Sequence, residues 1–335
     1  MADQSLYPVN GQRLVRRSVL RRLISRREVT TLLAAVIIFI AFSVAGERFL
    51  TAANFIGIVR MISMWAIVAV GQTMLLISRE LDISVGSLYA FLVVLLGVLV
   101  SRMGWDIWLG SFVVLLAGVA IGLFHGLLVT KIGIRSLIVT IATFAVFKGA
   151  SIVLAGGYPM IVPIDSALFK TITGGRIFGV LPWMSAWMVL IVLVGAVVLA
   201  YTKFGYHIYA IGGNLQAARN TGINTDRLKI ILFMITSTLV AVIAIITVGW
   251  SGNATFHTGK FLELQVFAVC IIGGTSMFGG RGTILGTLLG AFILGMIMKG
   301  LVYVGFGTYW DGVFIGTVIL VVTSLETLIR RGGES

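Results

Sequence analysis

Long apolar windows limit what this chain can fold into more than any other feature of its sequence. They recur between about residues 29 and 328, and as helices they are long enough to cross a hydrocarbon core of roughly 30 Å. Hydrophobic residues make up 59% of the 335-residue chain and charged residues only 11%, against about 25% charged residues in soluble domains. The windows lack the period-two alternation that is typical of transmembrane strands. The sequence therefore predicts an all-α, polytopic membrane protein.

We predict about ten transmembrane helices, one for each window. The windows are 29–46, 56–78, 83–101, 107–129, 134–155, 183–201, 230–250, 263–278, 284–304 and 312–328. They divide the chain into a basic segment at 1–28, a transmembrane domain at 29–330 and a tail at 331–335. Within the transmembrane domain, the connection at 202–229 needs an explanation of its own.

Lys and Arg residues are distributed unevenly between the two sides of this topology. With ten crossings, both termini share one side with the connections near 79–82, 130–133, 202–229 and 279–283, and most of the 25 Lys and Arg residues fall there. Cytoplasmic loops carry such an excess of positive charge. We therefore expect both termini to lie in the cytoplasm.

The basic segment contains the run R-L-V-R-R-S-V-L-R-R-L-I-S-R-R at residues 13–27. The net charge of +13 is compatible with nucleic-acid binding, but this run directly precedes the first apolar window. Basic residues in that position are attracted to anionic lipid and fix the topology. We expect the segment to contact membrane lipid, and we predict no nucleic-acid partner.

The sequence contains no recognisable motif for catalysis or cofactor binding. It has no G-x-x-x-x-G-K-[ST] loop for phosphate and no H-E-x-x-H for zinc. His125, His207 and His257 fall in different parts of the predicted topology, and Cys270 is the only cysteine and is predicted to lie in the core. We predict no catalytic residue, no metal site and no cofactor, so a membrane enzyme is the least favoured class.

Carriers driven by proton or sodium gradients usually bury ionisable groups near the middle of the membrane. Here the Asp and Glu residues lie in connections or near window ends, and the exceptions within windows include Lys148 and Lys299. Both lysines can extend toward an interface from near a helix end. An ion-coupled secondary carrier therefore stays open as the weaker transport hypothesis.

Three charges interrupt the apolar pattern in the stretch S-R-E-L-D at 78–82. Arg79, Glu80 and Asp82 fall between two windows, so we predict a tight turn in which these charges remain in water. Asp82 or Ser84 is expected to cap the helix that follows, because a side-chain oxygen there satisfies a free backbone N–H.

Two further patterns predict local structure. In the 202–229 connection, Asn214 can cap a short helix over L-Q-A-A-R, and Gly222 can end it in a left-handed conformation. Elsewhere, glycines at 118, 122 and 126 and again at 282, 286 and 290 repeat every four residues. Small residues at this spacing allow helix backbones to approach closely, whether in a static or a moving contact.

Three motifs together resemble the ribose-type permeases of carbohydrate ABC importers, within the branched-chain amino acid and monosaccharide permease superfamily. They are L-D-I-S-V-G-S-L at 81–88, A-I-G-G-N-L-Q-A-A-R-N-T-G-I at 210–223 and I-I-G-G-T-S-M-F-G-G-R-G-T-I-L-G-T-L-L-G-A at 271–291. The resemblance implies the ABC importer permease fold in a bacterial inner membrane. It also implies an ATPase subunit, a second permease copy or paralogue and a periplasmic sugar-binding protein as partners. The expected activity is inward movement of a monosaccharide, polyol or similar small polar solute by alternating access.

The resemblance also assigns roles to residues. The stretch 214–223 is similar to the coupling helix that docks on the ATPase, with two small alanines allowing close approach. The implied coupling residues are Asn214, Leu215, Gln216, Ala217, Ala218, Arg219, Gly222 and Ile223. This chain departs from many relatives in having Leu215 in place of a carboxylate, and Arg79 and Glu80 in place of a small residue and glycine. A contact between Asp82 and the ATPase is an alternative to its capping role.

Polar and aromatic residues within the windows are candidates for lining the translocation path. We single out Thr143, Phe144, Thr247 and Trp250, with ordinary helix packing as the alternative for each. An amino-acid or signalling-sugar permease of the same superfamily stays open as an alternative to the sugar or polyol assignment.

The charge distribution generates a topology prediction. Accessible tags placed after residues 1, 82, 131, 215 and 335 should report the cytoplasm, and tags near 52, 104, 165 and 256 the periplasm. The measurement is labelling or protease access from one side of sealed vesicles. A single central tag on the wrong side would overturn the ten-span arrangement.

Overall fold

Helices form nearly all of the regular structure in the computed structural model, which describes residues 27–46 and 49–333. The helices are α1 Arg27–Ala45, α2 Ala52–Ile77, α3 Val85–Gly97, α4 Ile107–Leu127, α5 Ser136–Ala155, α6 Ala167–Gly174, α7 Trp183–Tyr201, α8 Lys203–Gly213, α9 Leu215–Asn220, α10 Thr225–Ser251, α11 Leu262–Ile272, α12 Ile284–Tyr303 and α13 Asp311–Gly333. Five-residue π-helical segments, Val98–Arg102 and Leu128–Ile132, extend α3 and α4, and Thr308–Trp310 is a 3₁₀ turn. Two short antiparallel pairs join β1 Met160–Ile161 to β4 Asn253–Ala254 and β2 Arg176–Ile177 to β3 Leu181–Pro182.

The structure confirms an all-α polytopic architecture. Seven helices are long and apolar enough to cross a membrane: Ala52–Ile77, Val85–Arg102, Ile107–Ile132, Ser136–Ala155, Trp183–Tyr201, Thr225–Ser251 and Ile284–Tyr303. The apolar parts of three further helices are shorter, at Thr30–Ala45, Leu262–Ile272 and Asp311–Ser324. Every predicted window overlaps one of these ten helices, but the count of ten crossings stays a prediction. Of the predicted terminal segments, residues 1–26 and 334–335 lie outside the described residues.

One predicted window was too long, and one predicted connection contains more helix than expected. The window 263–278 is a helix only as far as Ile272, because Gly273 and Gly274 follow and Gly274 takes a left-handed φ of +85°. The 202–229 connection is more helical than predicted, since α8 fills its first half and α10 already begins at Thr225.

The molecule has two ends, which we name by their contacts. At the α9 end, the turn after α2 contacts the end of α8 and the loop between α11 and α12: the Gly280 N–H donates to the Ile77 carbonyl over 2.8 Å. The other end contains the β1–β4 pair, and we call it the ribbon end. There the pair lies beside the π-helical extension of α3, where the Ser101 hydroxyl donates to the Ile161 carbonyl over 2.8 Å.

The glycines of α4 lie against α10 at close range. A Cβ added at Gly122 would lie 2.5 Å from both the Met234 Cα and the Phe233 carbonyl oxygen, and one at Gly126 would lie 2.7 Å from the Ile230 Cα. Only glycine permits backbones this close. The predicted packing role of this glycine repeat is thereby confirmed.

Helices α2, α11 and α12 share a buried polar contact in the core. The Thr73 hydroxyl lies 2.7 Å from the Thr287 hydroxyl and 3.4 Å from the Cys270 Sγ. Cys270 is fully buried, which confirms its predicted place in the core.

Lys148 has a hydrogen-bond partner within the chain, and its extension toward an interface stays a prediction. From α5 its Nζ donates to the Phe256 carbonyl over 3.1 Å, in the irregular segment that precedes α11. The lysine thus supplies a hydrogen-bond donor to a backbone carbonyl of this irregular segment.

The α4–α10 contact generates a stability prediction. Gly122→Ala should lower the thermal unfolding midpoint of the purified protein, because overpacking a tight contact typically costs about 1–3 kcal/mol. The matched control is Gly149→Ala on α5, where an added Cβ meets nothing within 4 Å. In the control, the higher helix propensity of alanine should leave the midpoint unchanged or raised. Equal midpoints for the two variants would contradict the packing role of Gly122.

Candidate functional site

The short helix predicted between α8 and α10 is present as α9, with both of its predicted caps. The Asn214 side chain accepts a hydrogen bond from the Ala217 N–H over 3.0 Å. At the other end Gly222 has a φ of +84°, its N–H donates to the Arg219 carbonyl, and the Ile223 N–H donates to the Ala218 carbonyl. This pair of bonds is the Schellman pattern, which satisfies carbonyls at a helix end. The sequence therefore fixes where this helix begins and stops.

The two alanines of α9 differ in exposure. Ala217 is exposed, as are Gln216 and Arg219, whereas Ala218 is 4% exposed and belongs to the hydrophobic core. Leu215 and Ile223 are partly buried and pack against the same core. Of the two alanines expected to allow close approach, only Ala217 is exposed, because the chain's own core covers Ala218. The coupling role of both alanines stays a prediction.

Ionic contacts attach α9 to its neighbours. The Arg219 Nε donates to the Thr225 hydroxyl over 3.1 Å, and its Nη2 lies 3.4 Å from the Asp226 Oδ1. Lys131, at the end of the α4 extension, lies 3.3 Å from the other oxygen of Asp226. These groups are partly or largely exposed, so each contact contributes little to stability, within about 1 kcal/mol.

Arg79 connects the turn after α2 to the end of α8. Its Nε donates to the Gly212 carbonyl over 2.7 Å, and its Nη2 donates to the Gly213 carbonyl over 2.9 Å. Gly213 is the last residue of α8 and directly precedes the Asn214 cap of α9. A guanidinium suits this place because its rigid fork serves two carbonyls at once.

The prediction that Glu80 and Asp82 remain in water was wrong. Glu80 is 8% exposed and Asp82 is 1% exposed, because α4, α5 and α10 cover the turn. The Lys229 Nζ forms an ion pair with the Glu80 Oε1. Removing one member of a buried ion pair typically costs about 3–5 kcal/mol. Lys229 was not identified from the sequence, since nothing local links residues 149 positions apart.

Asp82 stabilises the turn that leads into α3, but neither Asp82 nor Ser84 caps this helix as predicted, because no side chain accepts from the N–H groups of its first turn. The Asp82 Oδ1 accepts hydrogen bonds from the Ser84 N–H over 2.8 Å and from the Ser84 hydroxyl over 2.6 Å. Its Oδ2 lies 3.7 Å from the Nδ1 of His125 on α4, and both side chains are fully buried. Sequence reasoning missed His125 as a neighbour of this turn.

The four path candidates occupy separate local settings. On α5, Thr143 is buried and its hydroxyl donates to the Val139 carbonyl of its own helix over 3.0 Å, while Phe144 is half-buried. On α10, the Thr247 hydroxyl lies 2.6 Å from the Tyr89 hydroxyl. The Trp250 ring is 43% exposed, with the Arg60 guanidinium 4.4 Å from its centroid. These contacts fit helix packing for Thr143 and leave the path role of all four a prediction.

Among residues 27–46 and 49–333, no three His, Cys, Asp or Glu side chains form a group that could hold a metal ion.

Comparison with known proteins gives a family match over most of the chain. Residues 54–323 match the family described as branched-chain amino acid transport system / permease component. The match covers α3 to α12 completely and α2 from Asn54 onward, and it includes α9 and the turn at 78–84.

Curated relatives match along nearly the whole chain. An autoinducer 2 import system permease protein of Yersinia enterocolitica is 32% identical over 92% of this chain and 85% of its own length. The protein of the same name from Photorhabdus laumondii is 30% identical over 93% of this chain and 92% of its own length. The chain therefore belongs to the family of branched-chain amino acid transport system permease components.

Proposed function

We propose that this chain is the membrane-spanning subunit of an ABC importer, and that α9 is its coupling helix. The observation that carries the proposal is α9 itself: a doubly capped helix at one end of a bundle of apolar helices, with one face built into the core and the other exposed. Such a helix can receive a push from a partner without separating from the bundle. The permease family supports the same role.

The exposed face of α9 has the properties of a docking surface. Ala217 is small and lies between the polar side chains of Gln216 and Asn220, which are themselves joined by a 3.3 Å hydrogen bond. A partner groove can therefore approach the helix backbone closely at Ala217. Arg219 is held at the side of this surface by Thr225 and Asp226.

The proposed orientation puts the α9 end in the cytoplasm, together with both termini. The positive-inside distribution supports it, and an ATPase needs cytoplasmic ATP. The proposed assembly contains two permease subunits, identical or paralogous, the ATPase and a periplasmic sugar-binding protein, in a bacterial inner membrane. The curated relatives are named as parts of an import system, which supports an inward direction.

We propose a monosaccharide, polyol or similar small polar solute as the substrate. The ribose-type motifs support this class, and the relatives' names make autoinducer 2 a specific candidate to test. The ion-coupled carrier is not favoured, because the matched family consists of permease components of transport systems. The subunit itself is proposed to be non-catalytic, with ATP hydrolysis carried out by its partner.

The docking surface gives a direct test. Ala217→Arg should reduce co-purification of the ATPase, because the added bulk and charge prevent close approach at the centre of the contact. Losing an interface hot spot typically costs about 2 kcal/mol or more, enough to weaken association roughly thirtyfold. The measurement is the ATPase recovered per permease after affinity purification.

The matched control is Ala167→Arg at the start of α6. This alanine is also exposed, follows a capping side chain, Ser166, and lies at the ribbon end. The control should keep normal ATPase recovery. Normal recovery with Ala217→Arg would refute the coupling-helix assignment. Ala218→Arg is not a useful test, because Ala218 is part of the core.

A second prediction follows from the proposal that a partner subunit, and not this chain, hydrolyses ATP. Reconstituted alone in liposomes, the purified chain should neither hydrolyse ATP nor accumulate ribose or autoinducer 2 under a proton or sodium gradient. Radiolabel uptake and phosphate release are the measurements. Gradient-driven accumulation by the chain alone would favour the secondary-carrier hypothesis instead.

A further inference from the structure

We infer that the turn Ser78–Ser84 is the element that transmits displacement of α9 into the transmembrane bundle, with Arg79 and Glu80 as its positioning residues. This inference rests on the proposed function, since it needs a partner that moves α9. Each positioning residue contacts one of the two helices that flank α9 in the sequence.

The first contact is with the helix that precedes α9. Arg79 donates to the Gly212 and Gly213 carbonyls, the last two of α8. Because Gly213 is followed directly by the Asn214 cap, a displacement of α9 pulls on the carbonyls that Arg79 holds. Both hydrogen bonds involve a charged donor, which makes them stronger than neutral ones.

The second contact is with the helix that follows α9. Lys229 lies in the first two turns of α10, and its ammonium group pairs with the Glu80 carboxylate. The side chains are 14% and 9% exposed, so water screens this pair weakly. The turn is thus connected to the chain on both sides of α9.

The backbones of α8 and of the turn after α2 are in close contact. A Cβ at Gly212 would overlap the Ile77 carbonyl and lie 2.5 Å from the Gly280 nitrogen. The Gly280 N–H donates to that same Ile77 carbonyl. Three backbone segments therefore meet directly at the turn, and α8 cannot approach α2 further without moving it.

The turn passes into α3 through Asp82. Asp82 holds Ser84, the residue before α3, and its second carboxylate oxygen faces His125 of α4. The neighbouring Leu81 N–H donates to the Ser136 hydroxyl of α5 over 3.3 Å. Displacement of the turn accordingly has to shift the start of α3 relative to its neighbours.

The test measures movement of α3 in the permease–ATPase complex in nanodiscs. Spin labels are placed on Met103→Cys, after α3, and Val304→Cys, after α12, in a Cys270→Ala background. Met103 and Val304 are 55% and 46% exposed, so both positions accept a label. Trapping the ATPase with ATP and vanadate should shift the distance between the labels by about 2 Å, the scale of helix shifts in switching proteins.

Variants separate the roles of the two side chains. Glu80→Gln and Arg79→Lys should each abolish the shift while ATPase recovery and ATP hydrolysis are retained. Lysine keeps the charge of Arg79 but lacks the fork that serves two carbonyls. Glu80→Lys alone should also abolish the shift, and adding Lys229→Glu should restore it.

The matched control is Lys131→Gln, which breaks an ion pair at the same end whose side chains are 61% and 33% exposed. It should leave the shift intact. No shift in the unsubstituted complex, or an unchanged shift in Glu80→Gln and Arg79→Lys, would overturn the inference. Loss of ATPase recovery with Ala217→Arg would still support the proposed function, so the two hypotheses fail separately.

Discussion

The structure depends on one constraint: a backbone polar group that leaves a helix inside an apolar bundle needs a partner within the protein. The irregular segments of this chain meet that need with specific contacts. The carbonyl of Ile77 accepts from Gly280, the N–H of Leu81 donates to Ser136, and the carbonyl of Phe256 accepts from Lys148. These contacts decide which helices lie together at each irregular segment. The arrangement of the helices therefore depends on contacts in the irregular segments between them as well as on packing along the spans.

The same constraint explains why charge is buried at residues 79–82. A turn between two spans has several backbone groups without helical hydrogen bonds. Where other helices cover the turn, these groups cannot form hydrogen bonds with water. Arg79 satisfies backbone carbonyls of α8, Asp82 satisfies the N–H of Ser84 just before α3, and Glu80 and Lys229 neutralise one another. Burying charge is favourable only with partners of this kind. In this turn, the contacts that satisfy the backbone are also those that join α9 to the bundle.

Sequence patterns predicted the helices and the caps of α9 well, because both depend on neighbours in the chain. The length of an apolar window predicts the length of a helix, and Asn214 and Gly222 predict where α9 begins and ends. Exposure was harder to predict. The burial of Asp82 depends on α4, α5 and α10, and the pairing of Glu80 with Lys229 depends on how α10 is placed. Ala217 and Ala218 are adjacent and identical, so only the tertiary structure distinguishes the exposed alanine from the buried one.

The division of α9 into two faces has a consequence for comparing and recombining members of this family. Residues 214–223 look like a self-contained cassette, yet Leu215, Ala218 and Ile223 are matched to the core of this chain. A cassette taken from a relative would bring inward-facing side chains selected for a different interior. If α9 is the proposed coupling helix, substitutions that alter its partner contact without disturbing this core belong at the outward positions. Grafts that change Gln216, Ala217 and Asn220 alone keep the host's interior intact.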